Sequence, residues 1–174
     1  MFARVCRLAA VVVVALQLGA CINSDYDIAG SLVAEFPVKP GVYAKADGTV
    51  VVLRKFGNAY KVYNRRAKET TYVRLFKVPE FSDYVLQYYD RKQKPIVHLF
   101  LKTTDKGFDI YDIENLTSVL PPHVEKLLAP ITETDRKDRN VTVVNGKRDT
   151  LYVIRELARA NPKMIAVESY QRRP

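Results

Sequence analysis

Cys21 is the residue whose type and position point most directly to chemistry. Its thiol is a sulfur nucleophile, and it follows the small residues Gly19 and Ala20 at the end of the apolar run 8–18. The other cysteine, Cys6, lies before that run, so a chain that begins at residue 21 has no disulfide and no cysteine metal site. Cys21 is therefore the one cysteine that such a chain would keep.

The segment in front of Cys21 has the features of an export signal. Arg4 and Arg7 make its start basic, and no acidic residue occurs before Asp25. Its apolar run is 11 residues long, whereas a helix needs about 20 apolar residues to cross a bilayer. We therefore predict that residues 1–20 are a secretory signal peptide, cleaved between Ala20 and Cys21.

The four residues Leu18-Gly19-Ala20-Cys21 resemble the lipobox of bacterial lipoproteins. That resemblance implies that the sulfur of Cys21 carries a diacylglycerol group and that its new amine is acylated. One acyl chain binds a membrane only marginally, but several chains on one residue anchor a protein durably. The resemblance also implies the cell envelope, and Ile22, where many enteric lipoproteins of the inner membrane carry aspartate, implies the outer membrane facing the periplasm.

Candidate catalytic residues are sparse in the rest of the chain. His98 and His123 have no second histidine or cysteine at metal-ligand spacing, and we interpret them as surface or interface residues. Ser82, Ser118 and Ser169 lie outside any Gly-x-Ser-x-Gly elbow, and the glycines form no phosphate-binding loop. We therefore predict no catalytic site, no metal and no cofactor. A hydrolase whose site only folding brings together is the alternative.

The charge of the chain suggests an anionic partner. Lys and Arg number 28 against 19 Asp and Glu, for a formal net charge of +9, and removal of residues 1–20 leaves +7. An exported protein does not meet nucleic acid, and basicity alone carries no sequence specificity. Besides the membrane itself, we expect an anionic envelope component or an acidic protein as partner.

Two predicted hairpin turns concentrate the cations. In an up-and-down meander alternate turns lie at one end of the sheet, so the turns at Asp47, at 65–69 and at 91–94 share an end, with tips two strand spacings, roughly 10 Å, apart. Like charges at this distance repel one another unless an anion or solvent ions compensate them. Ordinary solvated turns are the alternative. The candidate anion- or partner-binding residues are Arg65, Arg66, Lys68, Arg91, Lys92 and Lys94.

The segments that must position these residues are mostly strands. Runs rich in Val, Tyr, Phe, Ile and Thr, separated by turn-forming groups, predict strands at 42–45, 49–56, 59–64, 71–78, 84–90, 96–102 and 108–113. Later segments predict a short helix after Pro122, strands at 141–144 and 163–170, and a helix over 151–160 capped by Asp149 or Thr150. Residues 21–40 are predicted to be a lipidated tether.

This pattern indicates one α+β domain over residues 41–174, an antiparallel β-meander or small barrel followed by C-terminal helices. The layout also resembles small uncharacterised proteobacterial lipoproteins, which implies a fold and an address but no activity. We expect a membrane-anchored envelope lipoprotein that acts as a non-enzymatic binding or assembly module. A small barrel that carries a ligand or inhibits an enzyme is the alternative, and a cavity of a few hundred Å³ would favour carriage.

Overall fold

The computed structural model describes residues 22–24, 28, 32–89, 96–114, 116–130, 141–143 and 146–174. Ala20, Cys21 and the segment predicted to be a turn with Arg91, Lys92 and Lys94 lie outside these ranges. The described strands are β1 Ile22–Ser24, β2 Ala34–Glu35, β3 Gly41–Ala44, β4 Val50–Phe56, β5 Ala59–Asn64, β6 Glu69–Lys77, β7 Tyr84–Tyr89, β8 Ile96–Thr104, β9 Gly107–Ile113, β10 Val141–Val143 and β11 Met164–Arg172. The described helices are α1 Leu116–Val119, a 3-10 helix Pro122–Leu127 and α2 Lys147–Arg159.

Eight strands close into an antiparallel barrel. Each strand from β3 to β9 pairs with the next, and β11 pairs with both β9 and β3, which completes the ring. The predicted meander strands match the observed ones within two residues, because alternating apolar side chains and tight turns mark them clearly. A small barrel was one of the two predicted architectures. The C-terminal helices that the sequence predicts are present but short. The last strand, β11, follows them and closes the barrel.

Alternation along the strands creates two separate cores. One set of side chains points into the barrel, and the other set on β6, β7 and β8 points outward, where Phe76, Val85 and Phe100 are buried. The outward set shares one core cluster with buried residues of the helices, among them Val153 and Ile154 of α2. A sheet that is apolar on both faces requires such a covering layer.

Helix α2 begins earlier than the sequence predicts. Gly146 is its N-cap, so the predicted caps Asp149 and Thr150 both lie inside its first turn. Thr150 is fully buried, and its hydroxyl lies 2.7 Å from that of Ser24 on β1. Leu157 and its apolar neighbours face the outer core as the periodicity predicts. No helix within the described ranges has the length and apolarity needed to cross a membrane.

Three described residues within the segment 22–40 pack on the barrel. Ile22 is buried in β1, which pairs with β8 on one side and β10 on the other. Ile28 is also buried, and its backbone N–H donates to the side-chain oxygen of Gln87 at 3.2 Å. Val38 is buried at one end of the barrel. The apolar residues of this segment are isolated and follow neither a helix nor a strand periodicity. The sequence therefore did not predict this packing.

Candidate functional site

The barrel contains a cavity of about 570 Å³. Its middle section is lined by alternate residues of β4, β6 and β8, which are aliphatic because the inward positions of these strands carry valine and leucine. The volume falls within the range of roughly 300–1,000 Å³ that small-molecule sites occupy. The central lining residues are Val51, Leu53, Val73, Leu75, Leu99 and Leu101.

Tyr60 and Val38, which we call the floor, close one end of the cavity. The Tyr60 hydroxyl donates to the carbonyl oxygen of Val38 at 2.7 Å and accepts from the Val38 N–H at 3.0 Å. Phe36 packs edge-on against the Tyr60 ring, with ring centroids 5.1 Å apart. Burial raises the pKa of Tyr60 to about 12, so this hydroxyl keeps its proton. The chain that leads into β3 therefore seals the barrel.

The opposite end, which we call the mouth, is bounded by the β3–β4 and β5–β6 turns. Asp47 on the first turn and Arg66 on the second both line the cavity, so the two turns lie at the same end, as the meander implies. Hydrogen bonds from Thr49 lower the pKa of Asp47, and Lys45 and Arg66 act in the same direction. Asn64 fixes the second turn, because its side-chain oxygen accepts the N–H of Arg66 at 3.0 Å.

A charged cluster lies between the mouth and the apolar section. The Lys45 ammonium donates to Glu168 at 2.9 Å and lies 3.7 Å from the carboxylate of Asp47. The Tyr170 hydroxyl donates to the other carboxylate oxygen of Glu168 at 2.9 Å, and its ring stacks on Phe108. Burial raises the pKa of Tyr170, and the charge of Glu168 raises it further. This wall therefore presents a lysine, a carboxylate and a neutral phenol to the cavity.

Glu168 reaches the cavity because β11 contains a bulge. The pairing of β11 with β9 shifts between Ala166 and Glu168, and Val167 is the extra residue. Consecutive residues of a regular strand point to opposite faces, whereas Val167 and Glu168 both line this cavity. Sequence reasoning missed Glu168, Lys45 and Tyr170, because no signal marked the bulge or paired β11 with β3.

The predicted basic residues are only partly placed. Arg66 lines the mouth, whereas Arg65 and Lys68 lie exposed on the same turn and do not line the cavity. Lys68 adopts a left-handed backbone conformation with φ of 57°. Arg91, Lys92 and Lys94 lie outside the described residues. The structure thus brings one predicted cation to a cavity that the sequence did not locate.

The two histidines occupy separate environments. His98 is buried, unlike the expected surface or interface position, and its Nδ1 lies 3.2 Å from the carbonyl oxygen of Ile22. His123 lies on the surface, where its Nε2 is 2.9 Å from Glu156. Within the described ranges, no three histidine, cysteine, aspartate or glutamate side chains cluster closely enough to hold a metal ion.

No protein-family model, curated protein or solved structure matches this chain. The size, lining and charge of the cavity are therefore the properties that bear on what the barrel could hold. These three properties describe an apolar compartment with a floor of hydrogen-bonded tyrosine and a polar, charged mouth.

Proposed function

We propose that this chain is a lipid-anchored protein of the bacterial cell envelope whose barrel binds the apolar part of a small molecule. The cavity of about 570 Å³ is the observation that supports binding. An eight-stranded barrel is just wide enough either to be filled by its own side chains or to hold one small ligand. A cavity of this volume with an aliphatic middle section favours the second case.

The hydrophobic effect supplies enough free energy for useful affinity. Each methylene moved from water into an apolar site contributes about 0.8 kcal/mol, so ten methylenes contribute about 8 kcal/mol. Loss of translational and rotational freedom opposes this by at least about 4 kcal/mol. Ten methylenes therefore leave about 4 kcal/mol, a dissociation constant of about 1 mM, and fifteen methylenes leave about 8 kcal/mol, or about 1 μM, before any polar contact is counted.

Adjacent residues of β4 provide a matched test of cavity binding. Val51 lines the cavity, whereas Val52 points to the outer face of the same strand. We expect Val51→Phe to weaken binding of the neutral fluorescent probe N-phenyl-1-naphthylamine by at least about tenfold, because the ring occupies the ligand volume. Val52→Phe should leave the affinity within about twofold, since it changes only the outer face.

Fluorescence titration of the purified protein measures these affinities, and thermal unfolding checks that both variants fold. Saturable binding with a stoichiometry of one probe per chain is expected for the wild-type protein. Absence of saturable binding, or equal affinities for the Val51→Phe and Val52→Phe variants, would rule out the cavity as the binding site. A surface binding or assembly module would then be the better description.

Lipid anchoring is a separate part of the proposal, and the residues around Cys21 support it. Intact mass measurement of the membrane-extracted protein should show loss of residues 1–20 and the added mass of acyl groups. Cys21→Ser should release the protein from membranes with its fold unchanged, because serine cannot accept the diacylglycerol group. A bare sulfur or a retained leader in the native product would refute the anchor.

A further inference from the structure

The mouth of the cavity carries cations from two different turns. Lys45 stands at the end of β3 and Arg66 at the tip of the β5–β6 turn, and both line the cavity. Arg65 and Lys68 add two exposed positive charges to the second turn. The polar part of a molecule whose apolar part fills the barrel would lie among these side chains.

Two of the acidic residues at the mouth are already engaged within the protein. Glu168 accepts from Lys45 and from Tyr170, one hydrogen bond on each carboxylate oxygen. Asp47 accepts the backbone N–H of Thr49 at 2.8 Å. The third acid, Glu69, begins β6 beside the basic turn. Glu168 and Asp47 are thus engaged within the protein, as is Lys45, whereas Glu69 lines the cavity near Arg66.

Arg66 is the cation most available to a ligand. Its side chain is exposed and lines the mouth, and it forms no ion pair at contact distance with any residue that the structure describes. Lys45 donates to Glu168 at 2.9 Å and lies 3.7 Å from Asp47, so only part of its three donor hydrogens is left for a ligand. Arg66 is therefore the principal cation for an anionic group at the mouth, and Lys45 is the second.

We propose that the barrel selects single-chain amphiphiles with an anionic head group, carboxylate or phosphate, which Arg66 and Lys45 bind at the mouth. This inference rests on the proposed function, since the alkyl chain must occupy the cavity. The guanidinium of arginine can donate two parallel hydrogen bonds to two oxygens of a carboxylate or of a phosphate, and it keeps its charge at all physiological pH values. The partly exposed setting limits each cation to about fivefold in affinity, because exposed ion pairs contribute up to about 1 kcal/mol.

Displacement of N-phenyl-1-naphthylamine by amphiphiles of equal chain length tests the selectivity. The set consists of palmitate, hexadecyl phosphate, neutral hexadecanol and cationic hexadecyltrimethylammonium, each used below its aggregation concentration. We expect palmitate and hexadecyl phosphate to bind at least about tenfold more tightly than hexadecanol, with the cation weakest. Raising the salt concentration should reduce only the preference for the anions, because salt screens exposed charges.

Arg66→Gln tests the assignment without disturbing a contact inside the fold. It should reduce the anion preference by about fivefold and leave hexadecanol affinity unchanged. Arg54→Gln is the matched control, since Arg54 is an exposed arginine on β4 that does not line the cavity; its anion preference should equal that of the wild-type protein. A second variant, Lys45→Gln, should lower the preference as well.

The outcomes separate the two proposals. If hexadecanol and hexadecyltrimethylammonium bind as tightly as palmitate, or if Arg66→Gln behaves as Arg54→Gln does, the head-group inference is overturned while cavity binding stands. If none of the amphiphiles displaces the probe, the proposed cavity function itself fails. A preference for hexadecyl phosphate over palmitate, or the reverse, decides which anionic head group the site favours.

Discussion

Tyr60→Phe removes one oxygen atom from the floor of the cavity. In the wild-type protein that oxygen both donates to the carbonyl of Val38 and accepts its N–H, at 2.7 and 3.0 Å. Val38 is only 4% exposed, so its two backbone groups cannot simply turn to solvent when the hydroxyl is lost. The variant therefore leaves a buried donor and a buried acceptor without their partner.

The expected cost follows from those two groups. A buried polar group left without its partner costs about 1–3 kcal/mol. Water that enters from the cavity can replace part of the lost bonding, so we expect the free energy of unfolding to fall by about 2–4 kcal/mol. For a domain of this size, where 1 kcal/mol shifts the melting temperature by about 2–4 °C, this corresponds to a decrease of roughly 5–15 °C.

Urea unfolding followed by far-UV circular dichroism measures the loss, with Tyr63→Phe as the matched control. Tyr63 lies three residues further along the same strand, is 38% exposed, and its hydroxyl bonds to no residue within the described ranges. Its loss should cost less than about 0.5 kcal/mol. If Tyr60→Phe were as stable as Tyr63→Phe, the hydrogen-bonded floor would be refuted.

The difference in stability between the wild-type protein and Tyr60→Phe should depend on pH. Burial raises the pKa of Tyr60 to about 12 in the folded state, against about 10 in the unfolded chain. The stabilisation from its protonated hydroxyl is therefore complete below pH 10 and is lost as the pH rises towards 12. The advantage of the wild-type protein over Tyr60→Phe should shrink across this window. Other tyrosines with raised pKa values occur in both proteins and cancel, so a constant difference would contradict the assignment.

Three further substitutions test the frame around the cavity. Gly107→Ala should cost more than about 2 kcal/mol in urea unfolding, because a Cβ there would lie 1.8 Å from the carbonyl oxygen of Tyr170; a near-neutral result would contradict the close approach of β9 and β11. Glu80→Gln should cost at most about 1 kcal/mol, since its two arginine partners on α2 are partly exposed. Ile22→Ala should cost about 2–4 kcal/mol, whereas Val33→Ala, at an 85% exposed position, should be nearly neutral; equal costs would favour a free tether.

The strands of the barrel were predictable because local patterns define them. In β8, for example, Leu99 and Leu101 alternate with Phe100, and turn residues bound the strand, so period and boundaries agree. The start of α2 was not predictable in the same way, because Thr150 serves a buried contact with Ser24 that is 126 residues away in sequence. The contacts of Ile22 and Ile28 with the barrel could not be predicted for a related reason, since they depend on partners from β7 and β8.

Part of the candidate site could be predicted from the sequence. Counting alternate turns of a meander places Asp47 and Arg66 at one end, and both line the mouth. The Lys45–Glu168–Tyr170 cluster could not be found this way, because it depends on how β11 pairs with β3 and on an unmarked bulge in β11. Pairings between the first and last strands of a barrel are set by closure of the whole sheet, which local patterns do not encode.

An eight-stranded barrel remains hollow only when its inward side chains are too short to meet across the axis. Here the middle section carries Val51, Leu53, Leu99 and Leu101, and the large ring of Tyr60 stands at the floor, so the volume above it stays open. Side chains that line such a space lose packing contacts on one side, which weakens the fold. A ligand that fills the space would supply the missing contacts, so the open middle section is compatible with the ligand binding proposed above.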